Sequence, residues 1–147
     1  ANRYDRPLSI IMADLDLLRN INNTYGHLAG DEVLKGVADI LKHSVREYDV
    51  VARFGGEEFI VIMPNINLAA AQDRAETLRL ALNALRVPFD RTSLMVTISM
   101  GIASYPANGA TRDAVLRAAD VAMYAAKDAG RDHILSFDQL EPLHSAR

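Results

Sequence analysis

Val50-Val51-Ala52-Arg53-Phe54-Gly55-Gly56-Glu57-Glu58-Phe59-Ile60-Val61-Ile62-Met63 reads as two short strands, Val50 to Phe54 and Phe59 to Met63, joined by a glycine turn that carries two adjacent carboxylates. Glycine supplies positive φ at no steric cost and acidic residues are common on solvated tips, so the turn alone carries no chemistry. Two like charges on a hairpin tip nonetheless repel each other unless a cation shares them. A second acidic pair stands upstream, where the apolar run Leu8 to Ala13 ends in Asp14-Leu15-Asp16. Period-2 alternation puts both aspartates on one face of that strand. If the strand pairs beside the hairpin, Asp14, Asp16, Glu57 and Glu58 converge. Such a cluster suits hard divalent cations, because Mg²⁺ takes one or two carboxylates together with substrate phosphates. The chemistry it suggests is two-metal phosphoryl or nucleotidyl transfer.

Between these acidic pairs, Leu17 to Tyr25 reads as a short helix and Gly26 to Gly30 as a break. Asp31 is expected to open a longer helix whose apolar positions Val33, Leu34, Val37, Ile40, Leu41 and Val45 fall at helical spacing. After the hairpin, Leu68 to Leu85 is a further amphipathic helix, ended before Pro88. Met95 to Ile102 is a strand. Thr111 is a plausible N-cap for a helix carrying Val115, Leu116, Ala119, Ala122 and Ala126 and stopped by Gly130, and His133 to Phe137 supplies a last strand. The order of elements predicts an α/β or α+β sandwich with helices packed around a mixed sheet.

The chain has 147 residues, half of them hydrophobic, which suits a single compact domain. It contains no cysteine, which excludes a disulfide framework, a thiol nucleophile and a cysteine-ligated cluster, and a reducing cytoplasm is the expected location. No apolar stretch approaches the roughly 18 residues of a membrane span, and no membrane contact is expected. The net charge of −3 argues against binding a nucleic acid polymer, although a small nucleotide with its own metals fits. Because the chain starts at Ala1 without methionine and runs straight into its first strand, it is expected to be a piece of a longer protein.

Several residues have plain readings of their own. Asp16 and Asp31 can each be a helix N-cap, and Lys127 and Arg131 can complement the C-terminal dipole of the Thr111 helix. Asn22 and His27 beside a glycine break are commonly loop hydrogen-bonders. Their conjunction is what counts: carboxylates for metals, Asn and Asp for a base edge, and Lys with Arg for phosphates are three parts of one nucleotide site.

Taken together, Asp14-Leu15-Asp16-Leu17-Leu18-Arg19-Asn20-Ile21-Asn22-Asn23, Gly26-His27, Gly30-Asp31, Gly55-Gly56-Glu57-Glu58-Phe59 and Ala118-Ala119-Asp120 through Tyr124, Lys127 and Gly130-Arg131 resemble the GGDEF domain, the catalytic domain of bacterial diguanylate cyclases. The resemblance runs from about Arg6 to Phe137. It implies an α+β fold with a ferredoxin-like, palm-type core as in nucleotidyl cyclases. It also implies the condensation of two GTP molecules into cyclic di-GMP and two pyrophosphates by a transient homodimer. By the same resemblance Asp14, the Leu15 carbonyl and Glu57 bind Mg²⁺ or Mn²⁺, two per half-site, with Glu58 completing the acidic centre and Glu57 or Glu58 taking the 3′-hydroxyl proton. Asn22 and Asp31 read guanine with His27 near the nucleoside, Leu17 and Leu18 adjoin the substrate, and Arg19, Lys127 and Arg131 hold phosphates. The family commonly has phenylalanine then lysine where this chain has Leu18 and Arg19, and aspartate at Asn23. Its usual Asp-x-Leu-Thr-Gly-Leu segment does not precede the first strand.

Arg46-Glu47-Tyr48-Asp49 matches the family's inhibitory product site, an Arg-x-x-Asp just before the hairpin. A five-residue strand separates it from the glycine turn by roughly 17 Å at about 3.3 Å per residue, so bound product is expected to act from a distance. Two rival readings are a non-catalytic receptor that binds cyclic di-GMP through Arg46 and Asp49, and a structural dimerisation module. The retained Asp14, Glu57 and Glu58 favour the enzyme over the first, and the phosphate-binding cations are unexplained by the second.

Overall fold

The computed structural model describes residues 6–140. Its central strand, β1 (Leu8–Asp16), is buried along nearly its whole length, which is why the run from Leu8 is almost continuously apolar rather than alternating. Ile11, Ala13 and Leu15 face one core and Ile10 and Met12 the other. After β1 the chain forms α1 (Leu18–Tyr25), α2 (His27–His43), the hairpin β2 (Val50–Arg53) and β3 (Glu58–Pro64), and α3 (Leu68–Ala84). A small hairpin, β4 (Val87–Phe89) and β5 (Thr92–Leu94), leads into β6 (Thr97–Tyr105), α4 (Arg112–Asp128), β7 (Ile134–Ser136) and a 3-10 turn over Phe137–Gln139.

The five-stranded sheet has the order β2-β3-β1-β6-β7, antiparallel except for the β6–β7 pair. This is the expected α+β architecture, a mixed sheet flanked by helices. Residues of α2 and α3 pack into the core with Ile11, and α4 covers the opposite face with Val115, Ala119 and Met123. The alanines of α4 let it lie unusually close. A Cβ at Gly101 of β6 would stand 2.1 Å from Met123 N and 2.2 Å from the Ala119 carbonyl, so helix and strand meet backbone to backbone.

Two local expectations are corrected. The break before the long helix is Gly26 alone (φ 95°), and α2 begins at His27, four residues earlier than expected. Asp31 therefore lies inside α2 and is not its N-cap. Asp16 is not a cap either: Leu17 takes the N-cap position of α1 in a left-handed conformation (φ 70°), without a side-chain hydrogen bond. The Thr111 cap forms as expected, its Oγ1 accepting from Ala114 N at 3.1 Å.

Candidate active site

The register of β1 against β3 sets Asp14 opposite Glu58, and the Leu15 N–H donates to the Glu57 carbonyl (3.1 Å) where the ladder ends. The two acidic pairs are thereby neighbours, as expected if the first strand pairs beside the hairpin. The turn between β2 and β3 is braced by Arg53, whose Nε donates to the Gly56 carbonyl (3.0 Å), and by a Phe54 N–H to Glu58 carbonyl bond of 2.7 Å.

Asp14 and Asp16 have different surroundings. Asp14 is buried, with Oδ2 2.7 Å from Lys127 Nζ and Oδ1 without any hydrogen-bond partner. Asp16 is fully buried and saturated: Oδ1 accepts from Ser99 Oγ (2.8 Å), and Oδ2 from Thr97 Oγ1 (2.8 Å) and from the Asp132 N–H (2.9 Å). It is a joint between β1, β6 and the loop after α4, so of the four carboxylates that converge, Asp16 is saturated by hydrogen bonds, Asp14 is paired with Lys127, and Glu57 and Glu58 line the cleft. Burial pushes the Glu57 and Glu58 carboxyls above their ordinary value, the nearby Asp14 charge adds to this, and Lys127 opposes it. Asp120 of α4 is raised in the same way, by burial and then by Asp14.

Among the described residues no three His, Asp or Glu side chains form a ready-made cation cage. Mg²⁺ does not need one, since substrate phosphates complete its shell. The donors that are present fit. A buried carboxylate oxygen without a partner is costly, and a divalent cation shared with Glu57 and the Leu15 backbone would satisfy it.

Two adjoining clefts share Leu18, Arg19 and Glu57. The first, about 510 Å³, is lined by Asn22, His27 and Asp31 beside Glu57 and Glu58. Its Asn22 lies so close to Gly30 that a Cβ there would fall 1.8 Å from Oδ1, which explains a glycine inside α2. Asn22 Oδ1 is also buried without a partner. The second cleft, about 380 Å³, has Leu17, Arg19, Lys127 and Arg131 around Asp16 and Glu57. One pocket thus offers amide and carboxylate groups, and its neighbour three cations and the exposed first turn of α1, the combination that a base and its phosphates require.

Arg46 and Asp49 close on each other instead of facing the cleft. Arg46 donates through Nη2 (2.7 Å) and Nε (3.1 Å) to Asp49 Oδ1, and through Nη2 to the Pro64 carbonyl (2.7 Å). The Asp49 side chain is fully buried and that of Arg46 is 27 % exposed, so a ligand at this corner meets the guanidinium first.

A family model for the diguanylate cyclase GGDEF domain matches residues 1–133. The chain is 42% identical over 127 residues to diguanylate cyclase A of Treponema denticola, covering 86% of this chain and 34% of that protein. Among solved structures it resembles the GGDEF domain of PA1120 (TpbB or YfiN) from Pseudomonas aeruginosa, with a TM-score of 0.91 and 32% identity over 100% of this chain and 86% of that one. It also resembles the GGDEF domain of DgcB from Caulobacter crescentus in complex with c-di-GMP, with a TM-score of 0.85 and 27% identity over 94% of this chain and 82% of that one.

Proposed function

The chain belongs to the GGDEF family of diguanylate cyclases, and on that premise we propose that it condenses two GTP molecules into cyclic di-GMP with release of two pyrophosphates. The observation that carries this reading is the continuity of the two clefts. Glu57 lines both a base pocket with Asn22 and Asp31 and a cationic pocket with Arg19, Lys127 and Arg131, and the buried Asp14 is joined to the second of these through its ion pair with Lys127.

Asp31 can accept from both N1–H and the exocyclic amine of guanine, whereas adenine offers no such pair of donors, and Asn22 supports the same edge. Arg19, Lys127 and Arg131 hold the triphosphate. Asp14, the Leu15 carbonyl and Glu57 are the residues that would hold Mg²⁺ or Mn²⁺, two per half-site. Bound there, the metal supplies charge stabilisation at the α-phosphate and acidifies the attacking 3′-hydroxyl. Glu57 or Glu58 accepts the 3′ proton, a task that their raised pKa values suit.

One domain has one base pocket and one acidic centre, while the product contains two equivalent bonds. Two copies therefore face each other across a two-fold axis, each 3′-hydroxyl meeting the other nucleotide's α-phosphate, in a transient homodimer. Cyclic di-GMP returns to Arg46 and Asp49 as a feedback inhibitor. No helix among the described residues is long and apolar enough to cross a membrane.

The test is incubation with GTP and Mg²⁺ followed by chromatography of the products, with Glu57→Gln alongside. Cyclic di-GMP from the wild type and at least about 100-fold less from the variant is the expected result, the scale of losing one charge-stabilising group. Absence of product at every protein concentration, including after fusion to a dimeric coiled coil that raises effective concentration, would exclude the reading.

A further inference from the structure

Arg131 and Asp132, which follow the end of α4, are consecutive non-glycine residues in the left-handed region, with φ 62° and 49°. Aspartate tolerates that region better than most residues, but arginine gains nothing from it, so the loop must be held from outside. The Arg131 N–H donates back to the Ala126 carbonyl of α4 (3.2 Å), and the contacts that hold the loop to the rest of the fold converge on Asp132. Its N–H donates to Asp16 Oδ2 (2.9 Å), and its carboxylate accepts from Arg79 Nη1 (3.0 Å) and Asn83 Nδ2 (3.2 Å), both on α3. Arg79 is itself fixed by Glu76, to which its Nε donates at 2.6 Å. Asp132 thus ties a loop that leaves α4 on one face of the sheet to α3 on the other. The residue immediately before it is the phosphate-facing Arg131, whose own nearest charge partner, Asp16, is 3.9 Å from its Nε and already saturated by other donors. With only that long ion pair on its side chain, the Arg131 guanidinium takes its position mainly from its backbone.

We infer that Asp132, clamped by Arg79 and Asn83, is a positioning residue that holds the Arg131 guanidinium over the phosphate cleft, so that α3 contributes to triphosphate binding without touching the nucleotide. The inference rests on the reading of that cleft as the GTP phosphate site. It separates the two pockets energetically: loosening Asp132 weakens the grip on the β- and γ-phosphates and leaves the base pocket, built from α1 and α2, unchanged.

The experiment measures binding to the metal-supplemented protein by titration calorimetry, with the α,β-methylene analogue of GTP, which cannot release pyrophosphate, and with GMP. Asp132→Ala is expected to weaken the analogue by at least about fivefold, and in an Arg131→Ala background to have no further effect, because the two residues act as one unit. GMP affinity stays the same in every variant. Arg79→Met, which keeps the aliphatic stem packed, is expected to weaken the analogue in the same direction and serves if Asp132→Ala does not fold. An Asp132→Ala loss that persists undiminished in the Arg131→Ala background, or an equal loss for GMP, would show a general structural role and overturn the inference. So would unchanged analogue binding in both Asp132→Ala and Arg79→Met. A wild type that binds GMP and the analogue equally overturns the phosphate-site reading itself, a result separable from the others because it needs no variant.

Discussion

Lys127 Nζ stands 2.7 Å from Asp14 Oδ2, so the free domain neutralises its proposed metal ligand with the cation proposed to hold phosphate. A divalent cation held by Asp14 would compete with Lys127 for one carboxylate, and a displaced Lys127 would be free to turn toward the phosphates of a bound nucleotide, which would couple the two halves of the proposed site.

Lys127→Met should therefore have opposite effects on two measurements. Mn²⁺ affinity of the nucleotide-free domain, read by electron paramagnetic resonance titration, should rise at least about threefold, because a largely buried carboxylate loses its charged partner. Cyclic di-GMP synthesis should fall at least about tenfold for lack of the phosphate contact. Asp14→Asn should depress both, and a Lys127→Met variant with unchanged metal affinity would show that Lys127 does not compete for this carboxylate.

The raised carboxyls predict a pH dependence. A glutamate whose folded pKa lies above its usual 4.5 binds more protons folded than unfolded between the two values, so stability falls as pH rises through that window. In metal-free buffer these groups should make the wild type melt at a higher temperature near pH 5 than near pH 7.5. Glu57→Gln should raise the melting temperature at the higher pH and lose that advantage on acidification. A variant less stable than wild type at the higher pH would contradict a Glu57 carboxyl raised by burial and by the Asp14 charge.

Asp31→Ser removes the bidentate acceptor from the base pocket. Since Asp31 lies in the second turn of α2 and caps nothing, the substitution should leave the melting temperature within about 1 °C, the behaviour of an exposed site without a special role. The ratio of GTP to ATP binding should collapse toward unity, and an undiminished ratio would transfer base selection to Asn22.

Arg46→Ala should relieve inhibition by added cyclic di-GMP while initial rates without product persist. It should also cost about 2 kcal/mol in a denaturant melt, because Asp49 keeps a buried carboxylate after losing its charged donor. Inhibition curves that superimpose on the wild type would leave Arg46 with its structural role alone.

Gly101→Ala tests the seating of α4. A methyl group that must stand 2.1 Å from Met123 N forces helix and strand apart, at a cost of about 1–3 kcal/mol, and carries Lys127 away from Asp14. Gly56→Ala, with nothing within 4 Å of the added carbon, should change stability by less than about 0.5 kcal/mol. Equal stability losses in the two variants would refute the close contact.

Local periodicity made much of this legible before the structure. The shared face of Asp14 and Asp16, the hairpin, the α3 helix and the Thr111 cap each depend on residues a few positions apart. What escaped depends on contacts between distant segments. The start of α2 was misplaced because Gly30 looks like a helix breaker, whereas it is there to make room for Asn22, a neighbour in space. The hairpin of β4 and β5 is three residues per strand, too short for alternation to show. The saturation of Asp16 by Thr97, Ser99 and Asp132, and the tie from Asp132 to Arg79, join positions with no local signal between them.

The unequal surroundings of the two aspartates set how this motif can decay. A descendant that abandons synthesis would keep Asp14 only as the partner of Lys127, and a paired change at both positions would relieve crowding among the acids. Asp16 is different, because its loss strands the Ser99 and Thr97 hydroxyls and unties the loop after α4 whether or not any nucleotide is turned over. Retired members of such a lineage should therefore be recognisable by a lone second aspartate, an imprint of the fold outliving the chemistry.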